Sequence, residues 1–83
     1  MAISGTFRHE WLLEDITNLR DRAKTTETPE DLEHIMMLMF SKVNHIVIRQ
    51  YISQLWTYST QKMYPFADIQ NVFVKTVDEE LLP

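Results

Sequence analysis

Three histidines and twelve acidic residues carry whatever acid–base or metal chemistry this chain can perform, so their spacing comes first. His34 lies four residues after Glu30 and three after Asp31. On a helix that spacing brings the imidazole and both carboxylates to one face, within reach of a single metal ion. A dinuclear carboxylate bundle, however, needs paired Glu-x-x-His elements and further carboxylates from other helices. Here there is one Asp-x-x-His and no second copy. His9 with Glu10 and Glu14 is equally incomplete, and His45 stands in a stretch that contains no acid at all. Solvated or hydrogen-bonded histidines are therefore expected, with no metal and no cofactor.

Other catalytic chemistries find less support. With no cysteine there is no thiol nucleophile, thiolate metal site or disulfide. The single glycine, Gly5, cannot make a glycine-rich phosphate loop, and no Ser/His/Asp arrangement is legible from spacing. The chain reads as a non-enzyme. For nucleic acid, Lys42, Arg49 and Lys62 lie near His45, Trp56, Tyr58 and Tyr64, but three cations over more than twenty residues neutralise few phosphates. The composition thus argues against nucleic-acid binding. If it occurred, it would use an oligomer and a helix-turn-helix around Val43–His45.

The elements that must position these residues are helical. From 30 to 64 there is neither glycine nor proline, and from His34 to Ala67 neither Asp nor Glu. The first helix is expected over about 6–24, where Leu12, Ile16, Leu19 and Ala23 form one stripe with Phe7 and Trp11 beside it. Thr28-Pro29-Glu30-Asp31 is a helix start: a hydroxyl cap, proline at the first position, acids in the first turn. Taking Leu32 as zero, Ile35, Met36, Met39, Val43 and Ile46 fall within about 60°, whereas Val47, Ile48, Tyr51, Ile52, Leu55 and Tyr58 centre near 120–130°. Supercoil drift is only about 20° per heptad. The jump means either one helix whose halves face different neighbours or two helices. A break at Val43–His45 is the reading adopted, with Asn44 as a turn residue that tolerates left-handed geometry. Helices over 29–43 and 46–63 follow, and a last one over 66–80 is preferred to a strand because nothing else in the chain could pair with one.

The fold expected for residues 1–83 is therefore a single all-α domain, a three- or four-helix up-and-down bundle, complete in one chain or completed by dimerisation. At 83 residues and without disulfides, oligomerisation is a common source of stability. Charge supports this layout. Residues 1–33 hold eight acids against four bases, 34–67 hold three bases and no acid, and 68–83 hold four acids against one base. Acidic ends are thus expected to fold back on a mildly basic centre, within or between chains.

Two features point to binding. Met37 and Leu38 lie off the main stripe of their helix, so something else must cover them, and thioethers suit adaptable interfaces. The opposite face of the next helix carries Gln50, Ser53, Gln54, Thr57 and Gln61, uncharged groups that enter an interface at low desolvation cost if they hydrogen-bond across it. Trp56 and Tyr58 flank that ladder. Met37, Leu38, Gln50, Gln54, Trp56, Thr57 and Tyr58 are the candidate partner-binding residues. The expected function is a small cytoplasmic interaction or regulatory module, homodimeric, with a protein partner and/or itself. Alternatives are a small inhibitor of a host enzyme carried by a phage or mobile element, a helical DNA-binding regulator, and a membrane-surface protein. The last is disfavoured by the acidic ends, and neither an apolar leader nor a bilayer-length apolar run is present.

Overall fold

Four α-helices follow one another in a computed structural model that describes the backbone of residues 2–83 and the side chains of residues 13–83. They are α1 (Ala2–Thr25), α2 (Pro29–Lys42), α3 (Ile46–Thr60) and α4 (Phe66–Thr76), the last running on into a π-helical turn, Val77–Leu81. Among the described residues there is no strand, and the chain is all-α. Each helix packs against its neighbour in sequence, and α4 with its π turn returns to α1.

Every helix contributes residues three or four apart to one shared core. Ile16, Leu19 and Ala23 come from α1, Leu32, Ile35, Met36 and Met39 from α2, Ile48, Ile52 and Leu55 from α3, and Ile69 and Phe73 from α4. Val77 of the π turn and Val43 of the α2–α3 connection complete it. Phe7, Trp11 and Leu12 of the expected α1 stripe lie outside the described side chains.

The start of α2 is built as its sequence indicates. The Thr28 hydroxyl accepts the Asp31 N–H at 3.2 Å, while the Thr26 hydroxyl donates to Asp31 Oδ2 at 2.6 Å. Arg22, at the end of α1, reaches the same carboxylate at 3.5 Å. Two helix ends and the connection between them are thus tied to one side chain.

The chain does break between α2 and α3, at 43–45, but not by the expected device. The only non-glycine residue with positive φ among those described is Lys62, so Asn44 is not left-handed. Instead the connection is extended: Val43 has φ −86°, ψ 131° and His45 φ −102°, ψ 116°. His45 caps α3, its Nδ1 accepting the Ile48 N–H at 3.4 Å. Arg49 closes the corner from the other side, donating to the Val43 carbonyl at 3.4 Å with its guanidinium 4.3 Å from the centre of the Phe40 ring.

α3 stops at Thr60, short of the expected 63, in a Schellman turn. The Met63 N–H bonds the Tyr58 carbonyl at 2.9 Å and the Lys62 N–H the Ser59 carbonyl at 3.1 Å, with Lys62 at φ 54° in the left-handed position that glycine usually fills. A Cβ there is unfavourable. Lys62→Gly is expected to stabilise the fold by about 1 kcal/mol, a rise in Tm of roughly 4–8 °C, measurable by thermal melting followed by circular dichroism. A fall in Tm would mean that the lysine side chain itself stabilises the turn by more than its backbone strain.

Ion pairs show how the charge pattern is used. Lys42 of the acid-free segment lies 3.2 Å from Asp15 of α1, the expected contact between centre and terminus. Arg20, however, holds Asp78 as well as its neighbour Asp21, joining the two acidic segments to each other. Hydrogen bonds to Asp78 and then Asp21 raise the Arg20 pKa above its ordinary value. This guanidinium is therefore a fixed charge and no pH switch. In the π turn the Leu82 N–H bonds back to the Val77 carbonyl at 3.1 Å, which sets Leu81 and Leu82 against the core instead of leaving them as a free apolar tail.

Candidate interaction surface

α3 is packed on one face and uncharged on the other. Ile48, Ile52, Leu55 and Ser59 point inward, and buried Ser59 donates to Glu33 Oε2 of α2 at 2.9 Å. On the opposite face Gln50, Ser53, Gln54 and Gln61 are exposed and Thr57 is half-buried. The Thr57 hydroxyl donates to the Ser53 carbonyl at 3.1 Å, which leaves its oxygen able to accept. The ladder read from the sequence is a continuous outer surface.

Two grooves run along its sides. Between α2 and α3 lies an apolar one lined by Met36, Met37, Phe40, Ile52, Ser53 and Trp56. It brings together Met37, 58% exposed, and Trp56, 38% exposed, although they are nineteen residues apart in sequence. Between α3 and α4 lies a wider and more polar one, where Gln50 and Gln54 meet Val47, Tyr51 and Val72, with Lys75, Glu79 and Glu80 towards the end of α4.

The remaining candidates lie elsewhere. Leu38 is half-buried against the core and does not join Met37. Tyr58 also packs on the core, its ring edge-on to Tyr64 with centroids 5.1 Å apart, above a small groove shared with Tyr51, Leu55 and Asp68. Five exposed apolar residues are assigned to stripes or passed over in the sequence reading: Ile46 at 70%, Val47 at 60%, Met63 at 53%, Val72 at 39% and Tyr51 at 38%. The true inward series of α3 is 48–52–55–59, and its last member is a serine. The stripe read from spacing, Val47, Ile48, Tyr51, Ile52, Leu55 and Tyr58, contains three members of that series but omits Ser59 and is therefore centred to one side of the inward face.

Among the described side chains the His, Asp and Glu groups do not converge on one point. Among the described residues no three His, Cys, Asp or Glu side chains are placed to hold a metal ion. Asp31 is bonded to Thr26 and Arg22, not paired with His34, and His9 with Glu10 lies outside the described side chains. Of the three central cations, Lys42 faces Asp15 and Arg49 stacks on Phe40. No helix among the described residues is long and apolar enough to cross a membrane. Compared with known protein families, with curated proteins and with solved structures, the chain matches none.

Proposed function

We propose that this chain is a small interaction or regulatory module that acts by binding a protein, presenting the outer face of α3 and the two grooves beside it. The observation that carries the reading is the placement of exposed Met37 and Trp56 on one side, and of exposed Val47, Tyr51 and Val72 on the other, around a face without charge. Apolar patches of this kind, rimmed by polar groups, mark association sites, and tryptophan and tyrosine are frequent hot spots. Action is steric: the module occupies or bridges a partner surface and performs no covalent chemistry. An up-and-down bundle belongs to the same reading, supported by connections of only a few residues at 26–28, 43–45 and 61–65.

The test is a photo-crosslinking side chain at position 54, with a control at exposed Glu30 near the start of α2. In the native cell, position 54 is expected to yield one discrete adduct, to a second copy or to another protein, and position 30 none. Trp56→Ala should weaken that complex about 30-fold, the size of a typical hot-spot loss. Equal labelling from both positions, or no adduct at all, overturns the reading.

A further inference from the structure

We propose that the partner on the outer face of α3 is a second copy of this chain, packed antiparallel about a two-fold axis close to Gln54. The inference rests on the binding reading above and deepens it.

Two-fold symmetry is selective, because residues on the axis meet their own copies. A charged side chain there faces its like. An amide or hydroxyl is both donor and acceptor and therefore complements itself. The face carries Gln50, Ser53, Gln54, Thr57 and Gln61, all of this kind. The wider electrostatics agree. The chain carries a net charge of −4, so two copies repel in most orientations. Of the four helices only α3 contains no acid, and the acid-free stretch around it, His34 to Ala67, is the longest in the chain. Two copies approaching through it keep their carboxylates apart.

The direction of packing follows from the charges beside the grooves. In an antiparallel pair, the α4 side of one copy lies along the α4 side of the other, reversed in direction. Reversal about Gln54 sets residue 50 of one copy level with residue 58 of the second. Lys75 lines the groove that holds His45 to Gln54, whereas Asp68 lines the one that holds Leu55 and Tyr58, so Lys75 lies towards the start of α3 and Asp68 towards its end. Lys75 of each copy therefore comes level with Asp68 of the other. Glu79 and Glu80, one turn beyond Lys75 in the same groove and hence nearer the start of α3, likewise come level with Lys62 just after the end of α3. All five side chains are exposed. A parallel pair would set the α4 side of one copy against the α2 side of the other and lose both matches. Tyr51 and Val72, close to the axis, then face their own copies across the interface, while Val47 comes level with residue 61 of the other copy.

The chain has no native cysteine, so single cysteines report the axis directly. Gln54→Cys should form a disulfide-linked dimer under mild oxidation. Gln61→Cys should not, because its two copies lie roughly 20 Å apart along the axis direction at about 1.5 Å per residue, far beyond the reach of a disulfide. In sedimentation equilibrium at low salt, Lys62→Glu is expected to weaken the dimer about tenfold through its two symmetric repulsions, and adding Glu79→Lys and Glu80→Lys to restore it. Monomeric mass of the unmodified chain at all concentrations overturns the proposal, as does crosslinking at 61 equal to that at 54, or failure of the charge swap to rescue. If the chain is a monomer and the position-54 photo-crosslinker still captures one other protein, the second copy is wrong and the binding reading stands. A monomer that captures nothing overturns both.

Discussion

Phe73→Ala is expected to destabilise the chain by about 3–5 kcal/mol. Phe73 is fully buried and among the largest side chains that are. It sits near the middle of α4, one turn from Ile69 and from Val77, in a helix that packs on both α1 and α3. Removing the ring loses its transfer free energy and opens a cavity between helices that cannot easily collapse. A domain of this length has a total stability of roughly 4–12 kcal/mol, so the loss is a large share of the whole. The neighbouring Asn71→Ala, at an exposed position of α4 outside the groove beside α3, is expected to cost no more than about 0.5 kcal/mol. Urea unfolding of both variants decides the matter. Similar midpoints for the two would mean that α4 does not pack through this face. Since α4 supplies Val72, Lys75 and Thr76 to the groove beside α3, loosening it also removes one wall of the interaction surface.

Which parts of this architecture were legible depended on whether the cause was local. Thr28-Pro29-Glu30-Asp31 specifies a helix start by chemistry within four residues, and α2 begins there. The break at 43–45 was legible because two segments with different neighbours must turn their apolar faces in different directions, and the phase jump records that. The device that makes the break was not legible. His45 caps α3 through a ring nitrogen, and Arg49 secures the corner only because Phe40 lies beneath it, a contact that exists only once both helices are in place. The end of α3 was hidden for a related reason. Its left-handed residue is a lysine, and no glycine marks the stop.

The candidate surface divides in the same way. Gln50, Ser53, Gln54, Thr57 and Gln61 were readable as a face because helical spacing alone puts them together. Met37 and Trp56 were each readable as surplus, but their meeting in one groove depends on the packing of α2 against α3. Leu38 and Tyr58 carry the same apolar character and lie against the core, a difference set by a few tens of degrees around each helix. Ile46 and Val47 went unrecognised because apolar residues near a helix start read as core unless the position of the neighbouring helix is known.

Gln70 carries the second large expectation, because it acts on groups that secondary structure cannot satisfy. Its Nε2 donates to the Ala23 carbonyl at 2.7 Å and to the Thr26 carbonyl at 2.9 Å, tying α4 to the C-terminal end of α1. The last four carbonyls of a helix lack intrahelical partners, and Ala23 contributes one of them. Gln70→Leu keeps approximate size, strands both carbonyls in a partly buried site, and is expected to cost about 2 kcal/mol. Gln70→Glu should cost more, about 3 kcal/mol at pH 7, because a carboxylate would face two carbonyl oxygens at the negative end of the α1 dipole. That placement raises the pKa of the introduced acid in the folded state above its unfolded value near about 4.3. The sign follows: the protonated acid can donate one hydrogen bond, so the missing stability is partly present below that value and is lost as pH rises through the raised folded pKa. Urea midpoints of the Glu variant should therefore approach those of the parent chain between about pH 7 and pH 4, while those of the Leu variant keep a constant deficit. Parallel pH profiles for the two variants would show that position 70 does not face the end of α1, and that the join between the first and last helices rests on apolar packing and the Arg20–Asp78 pair alone.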